Sequence, residues 1–212
     1  GAARRNIHNL AACFAISKLF DFHHVIDIGG GDGLLCRMLR DYGINCFVKD
    51  KYATPIYAQG FTEPTFAKPD LVIGFEVLEH FANPQLDLDN LFGYQPKALL
   101  MSTAIYTNQG SDWWYLLPES GQHVFFYSRQ ALEFIAKKYH YSLIVSGGFI
   151  LFVRQPSALQ TFLAKMLLKE KICRLIRSLV VVLPAPGILN DQLLQVEQAK
   201  QQQNSQNTGV LE

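Results

Sequence analysis

The residues with the clearest capacity for chemistry lie in Val25-Ile26-Asp27-Ile28-Gly29-Gly30-Gly31-Asp32-Gly33, where a short apolar run stops at glycines. Glycine lets the backbone take positive φ and approach a ligand closely. A helix starting at once, over 34–42, would offer unpaired N–H groups and a partial positive charge to an anionic group. The spacing discriminates between nucleotide-like ligands. A dinucleotide fold calls for G-x-G-x-x-G, but here the third position falls on Leu34, and the glycines read G-x-G-x-G at Gly29, Gly31 and Gly33. No lysine follows the loop, which excludes a P-loop. Nineteen residues after Gly31 comes Asp50, at the end of a second strand, where an acid can accept hydrogen bonds from both hydroxyls of a ribose.

A second cluster is Glu76-Val77-Leu78-Glu79-His80. On a helical turn Glu76 shares a side with Glu79 and His80. Two carboxylates and an imidazole on one side need a proton, a cation or a polar ligand between them. Such oxygen and nitrogen donors suit Mg²⁺, Mn²⁺ or Fe²⁺. The alternative is that Glu79 and His80 only cap a short helix. A third cluster, Asp112-Trp113-Trp114-Tyr115-Leu116-Leu117-Pro118-Glu119, places two indoles and a phenol in one loop. Aromatics with polar tips stack well on sugars or planar substrates, so Trp113, Trp114 and Tyr115 are substrate-contact candidates; they could equally roof a cofactor pocket.

The elements that must position these groups alternate. Strands are expected at 25–28, 45–49, 56–61, 71–75, 98–102, 142–145 and 149–153. Helices are expected at 4–20, at 34–42 and after Ser128, a good N-cap for the helix carrying Leu132, Ile135, Ala136 and Tyr139. Residues 76–81 read as a turn or helix closed by Asn83-Pro84. Alternation implies a parallel sheet covered on both faces. The expected fold is therefore α/β: a Rossmann-like, seven-stranded, mostly parallel sheet with an antiparallel terminal hairpin and a C-terminal helical extension. The expected division is 1–155, 156–190 and 191–212.

The chain has 212 residues, room for one domain plus an extension. Charged residues make up 17%, below the roughly 25% typical of soluble domains, so part of the surface is expected to be covered by a partner. A net charge of +1 argues against a general polyanion binder, and no nucleic-acid partner is expected. The aliphatic run at 179–183 is far short of the roughly 20 residues that span a bilayer. No secretory signal pattern opens the chain. Cys13, Cys36, Cys46 and Cys173 form no metal-binding spacing and read as reduced, buried residues of a cytoplasmic protein. Residues 157–183 carry Leu159, Phe162, Met166, Leu175 and Leu179 at helical spacing, with Lys165, Lys169, Lys171, Arg174 and Arg177 against Glu170. That stretch is expected to dock on the domain or on a second subunit of a homodimer, with peripheral contact to an anionic membrane as the alternative. Residues 191–212 hold seven glutamines and are expected to be poorly ordered.

The glycine loop with Asp50 resembles the class I S-adenosylmethionine-dependent methyltransferases over roughly residues 4–154. The resemblance implies that Gly29, Gly31 and Gly33 pass beneath the methionine part of the cofactor and that Asp27 faces its amino group. Asp50 would hold the ribose, Lys51 and Tyr52 would lie near the adenine, and Phe75 would lie beside the cofactor. The family often has an acid or amide at the end of the third strand for the adenine amine; here Gln59 is the candidate. Two branches, the ubiquinone-pathway O-methyltransferases and the small-RNA 2′-O-methyltransferases, use E-V-x-E-H as metal ligands with a further histidine ahead of the next helix. His123 in Gly121-Gln122-His123-Val124 matches that histidine. The implied ligand set for Mg²⁺ or Mn²⁺ is Glu76, Glu79, His80 and His123, with Glu76, His80 and His123 as catalytic candidates. The combination D-W-W-Y…P-E-x-G-Q-H-V…Y-S-R resembles a group of small bacterial methyltransferases, often of unassigned substrate, and the resemblance implies a link to polysaccharide or glycoconjugate assembly. The expected activity is O-methylation of a small molecule or glycan precursor, with or without a divalent cation; the alternative is a non-catalytic cofactor-binding subunit.

Overall fold

Each strand of the sheet is five residues long with a buried centre, so the frame is set by short apolar runs between turns. The computed structural model describes residues 2–180, 182–194, 196 and 200. In chain order the elements are α1 (Ala2–Phe20), β1 (His24–Ile28), α2 (Leu34–Asp41), β2 (Asn45–Lys49), β3 (Leu71–Phe75), α3 (Pro84–Gly93), β4 (Ala98–Ser102), α4 (Arg129–Tyr139), β5 (Ser142–Ser146), β6 (Phe149–Val153), α5 (Ala158–Leu167) and α6 (Glu170–Val180). Short 3-10 turns occupy Leu78–His80 and Trp114–Leu116.

The sheet runs β2-β1-β3-β4-β6-β5. β1 pairs in parallel with β2 and β3, and β3 with β4, whereas β6 pairs antiparallel with β4 and β5. The connection from β1 runs outward to β2 on one side, and β3 lies on the other. The loop after β1 therefore stands at the topological switch point, where open α/β sheets hold their ligands. The central strands are buried on both faces. Leu71, Ile73 and Leu100 face one cluster with Leu10, Leu39 and Leu168, while Val72, Leu99 and Met101 face a second cluster with Leu91 and Leu132.

The sheet is mixed and has six strands among the described residues, not the seven expected. Residues 56–61 form turns. The N–H groups of Ile56 and Tyr57 donate to the carbonyl of Asp32 at 2.8 and 2.9 Å, and only Phe61 touches β2, accepting from the Val48 N–H. Ala58 is buried against Gly33, so the segment folds over the glycine loop instead of extending the sheet. A second correction concerns Asn83-Pro84, which opens a helix instead of closing one. The Asn83 side chain accepts from the Leu86 N–H, and Pro84 takes the first turn, where its missing N–H costs nothing. Ser128 caps α4 by accepting from Ala131, and Ser157 with Gln160 forms a capping box on α5.

The C-terminal helices share the core. Ala164, Leu168, Cys173 and Val180 join the cluster that holds α1, and the Cys173 thiol donates to the His8 carbonyl. The tail that begins at 191, expected to be loose, starts inside a helical run over 187–194 whose Asp191 is buried against Arg40 and Arg37. Residues 201–212 lie outside the described residues. All four cysteines are buried and unpaired. No described helix is long and apolar enough to cross a membrane.

Candidate active site

The three alternating glycines all have positive φ, +67° at Gly29, +57° at Gly31 and +80° at Gly33, but for different surroundings. A Cβ at Gly29 would strike Val77, and one at Gly33 would strike Ala58. A Cβ at Gly31 would meet nothing within 4 Å, so the loop opens there. Beneath it Asp27 is buried, and its Oδ2 has no hydrogen-bond partner. Gly30 is what allows this close approach, because a Cβ there would press on the Asp27 carboxylate. Burial, and then the charges of Asp50 and Asp32, push the Asp27 carboxyl up to about 8.

Asp50 is held the opposite way. Burial alone would raise its pKa, but N–H groups of Tyr52, Ala53 and Gly31 donate to it at 2.8, 2.8 and 2.9 Å and hold it below its ordinary value. A carboxylate offers about four lone-pair sites, so Asp50 retains about one acceptor site beyond these three donors. An unpartnered buried carboxylate, an open glycine and a second, ionised acid suit a ligand with a cationic amino group and vicinal hydroxyls. S-adenosylmethionine fits: Asp27 would take its ammonium and Asp50 its ribose.

The Asp27 environment has a consequence for stability. Its folded pKa lies above the ordinary carboxylate value near 4, so the folded state binds more protons between these values. Its contribution to stability is full below pH about 4 and is lost as pH rises toward 8. Chemical denaturation at pH 5 and pH 8 should show that loss, on the order of a few kcal/mol, in the ligand-free protein and not in Asp27→Asn. Parallel losses in both proteins would place the charge elsewhere.

The second group is built at the ends of β3 and β4. Glu76 follows β3 with φ +56°, a conformation that costs a non-glycine residue about 1–3 kcal/mol and turns the chain sharply. Its carboxylate accepts from the Ser102 hydroxyl at 2.7 Å and from the Tyr115 hydroxyl at 2.8 Å. The same Tyr115 hydroxyl lies 2.6 Å from Glu79 Oε1 and 3.2 Å from Thr103. One phenolic proton cannot serve two carboxylates. Glu79 is fully buried, its Oε2 has no partner, and burial pushes its carboxyl up. A proton or a cation at Glu79 would relieve that imbalance.

The loop carrying His123 is pinned above this network. N–H groups of Val124 and Phe125 donate to the Glu79 carbonyl. His80 Nδ1 lies 2.9 Å from the Gln122 carbonyl and His123 Nδ1 lies 2.7 Å from the Tyr115 carbonyl. A carbonyl can only accept, so Nδ1 carries the hydrogen in both rings and Nε2 of each neutral ring is the free lone pair. The rings sit edge to face with centroids 4.9 Å apart. One donor atom each from Glu79, His80 and His123 lies within 4.8 Å of the others. Glu76 is outside this trio, and its oxygens accept from Ser102 and Tyr115. The four-ligand expectation thus becomes three converging donors plus a neighbouring acid.

A cleft of about 450 Å³ joins the two groups, with Gly31, Asp27, Phe75, Glu76, His80 and His123 in its wall. A second cleft, of about 560 Å³, takes Asp50 and Lys51 together with Thr62 and Glu63. Two residues expected near the adenine stand apart. Tyr52 is 90% exposed, and Gln59 is exposed and lines neither cleft. The aromatic trio also divides. Trp114 stands at the cleft lip, 73% exposed. Tyr115 is buried in the carboxylate network, and Trp113 packs on Tyr106 and Phe126. Sequence reasoning missed Arg5, Asn6 and Asn9 of α1, which line the first cleft. The four-residue spacing of Arg5 and Asn9, which puts them on one side of α1 next to Asn6, was the available signal.

A family model described as a methyltransferase domain matches residues 2–145. No curated protein matches the chain. Among solved structures, the methyltransferase domain of bacterial CtHen1 is similar, at 19% identity over 71% of this chain and 99% of that one, with a TM-score of 0.51. Magnesium protoporphyrin IX methyltransferase from Synechocystis PCC 6803, solved with bound S-adenosylhomocysteine, is similar at 17% identity over 73% of this chain and 88% of that one, also at 0.51. At such identities the two structures speak for the fold. That fold, carrying its glycine loop at the switch point within a family match over residues 2–145, makes the chain a member of the methyltransferase-domain family, of the class I S-adenosylmethionine-dependent type.

Proposed function

We propose that the protein methylates an oxygen of a small molecule or saccharide acceptor, and that Glu79, His80 and His123 hold a divalent cation, Mg²⁺ or Mn²⁺, beside that oxygen. The observation that supports this reading is that donor atoms of the buried Glu79 carboxylate, His80 and His123 lie within 4.8 Å of one another, with both imidazoles in the wall of the cleft that also contains the glycine loop. S-adenosylmethionine brings a methyl group on a sulfonium, a leaving group good enough that placement of the acceptor is the main remaining task. A cation on the trio would lower the pKa of an acceptor hydroxyl.

The protein's own residues supply the rest. Asp27 and Asp50 fix the donor at the loop. The Tyr115 and Gln122 carbonyls fix the tautomer and angle of His123 and His80, so that each Nε2 is ready to take a ligand or a proton. Trp114 at the lip offers an exposed indole face to a ring. A diol or catechol suits the site best, because two oxygens can chelate.

The test combines turnover with direct cation binding. Transfer of labelled methyl to a panel of catechols, vicinal diols and saccharides should collapse with a chelator and return with Mg²⁺ or Mn²⁺. Mn²⁺ titration followed by electron paramagnetic resonance should show His123→Ala binding at least about tenfold more weakly, with S-adenosylhomocysteine affinity nearly unchanged. Undiminished Mn²⁺ binding in that variant would remove His123 from the ligand set. Indifference to chelator, with retained sensitivity to His123→Ala and an imidazole-like pH profile, would instead assign His123 as a general base without a cation.

A further inference from the structure

The outward face of α6 carries two exposed leucines among its cations. Cys173, Ile176 and Val180 turn inward, and Lys171, Leu175 and Leu179 follow at intervals of four on the outside. Leu175 is 58% and Leu179 55% exposed, and the line continues into Val182 and Leu183, both exposed. Exposed leucines recurring along one helix face mark a contact surface.

Its charge indicates what the contact is. Lys169, Lys171, Arg174 and Arg177 flank these leucines. Glu170 is the single acid of α6 and pairs with Arg174, while Asp191, the next acid along the chain, is buried against Arg37 and Arg40. Lys169, Lys171 and Arg177 have no ion-pair partner among the described residues. A two-fold contact between copies would bring this cationic edge against itself. An anionic lipid surface complements both features at once, taking the leucines at the headgroup boundary and the cations among the phosphates.

We propose that the α6 face binds peripherally to anionic bilayers. The position of α6 gives such binding a use. Cys173 contacts the backbone of His8, and Arg5 and Asn9, on either side of His8 in α1, line the catalytic cleft. α6 thus packs on the helix that supplies part of the cleft wall. Docking there would hold the helix pair that borders the cleft at the headgroup layer. This inference does not depend on the acceptor's chemistry.

Co-sedimentation of the full chain with vesicles tests it. Mixed phosphatidylglycerol–phosphatidylcholine vesicles should bind the protein at least about tenfold more tightly than phosphatidylcholine alone, and about 0.5 M salt should release it. The double variants Leu175→Gln/Leu179→Gln and Lys169→Gln/Lys171→Gln should each weaken binding about tenfold. These positions are exposed, so both should fold, which far-ultraviolet circular dichroism and S-adenosylhomocysteine binding verify. Equal partition onto neutral vesicles, no partition at all, or wild-type partition by the leucine variant would each overturn the proposal. Self-association in sedimentation equilibrium that disappears in the leucine variant would assign the face to a second copy of the chain.

Discussion

Replacing Gly31 with valine is expected to abolish S-adenosylhomocysteine binding, by about a hundredfold or more, while the protein stays folded. Two costs add at this position. The backbone sits at φ +57°, where a β-branched residue is strained by about 1–3 kcal/mol. The new side chain would also project into the one stretch of the loop with no neighbour within 4 Å, the space a ligand must use. Gly31→Ala carries the same backbone strain with less bulk and should lose less affinity. Calorimetric titration with circular dichroism on each variant separates the two costs. Normal affinity in a folded valine variant would reduce the loop to a structural turn. Gly29 and Gly33 are poorer choices for this test, since a Cβ there collides with Val77 or Ala58 and damages the fold first.

Removing the Asp191 carboxylate is expected to cost about 3–5 kcal/mol of stability and lower the melting temperature by roughly 10 °C. Arg40 is 5% exposed, and Asp191 receives two of its N–H groups at 2.8 and 2.6 Å. A third contact comes from Arg37 at 2.8 Å. The Arg40 guanidinium also donates to Asn45 and to the Cys46 carbonyl and lies 3.7 Å over the Phe61 ring. Asp191→Ala leaves that cation buried without its counter-charge. Asp191→Asn keeps an acceptor and should lose less. Urea unfolding of both variants checks this; a loss below about 0.5 kcal/mol would show that the helical run over 187–194 contributes little to the fold.

That pair shows where reading the sequence runs out. Its members are 151 positions apart, and nothing local to a glutamine-rich segment announces a buried aspartate. The glycine loop and Asp50 were legible because their meaning is local: a strand, a turn needing positive φ, and an acid at the next strand end. Asn83-Pro84 was ambiguous for a physical reason, since proline both stops a helix and suits the first turn of the next. Residues 56–61 looked like a strand from Ile56 and Tyr57, yet the Asp32 carbonyl claims both of their N–H groups and leaves them no ladder to join. In the candidate site, spacing suggested that Glu76, Glu79 and His80 share a side. It could not show that Tyr115, expected to face a substrate, would instead sit between the two glutamates.

The position of β6 bears on how the chain can be assembled. β6 enters between β4 and β5, although it is made after both. Until Val153 has left the ribosome, β4 offers an unpaired edge carrying Leu99, Leu100 and Met101 to any neighbouring strand. The stretch matched by the family model ends at 145, before that strand begins. Expressed by itself, it would be a sheet with the place between β4 and β5 unfilled, and it should be captured by chaperones or aggregate instead of behaving as a minimal catalytic unit.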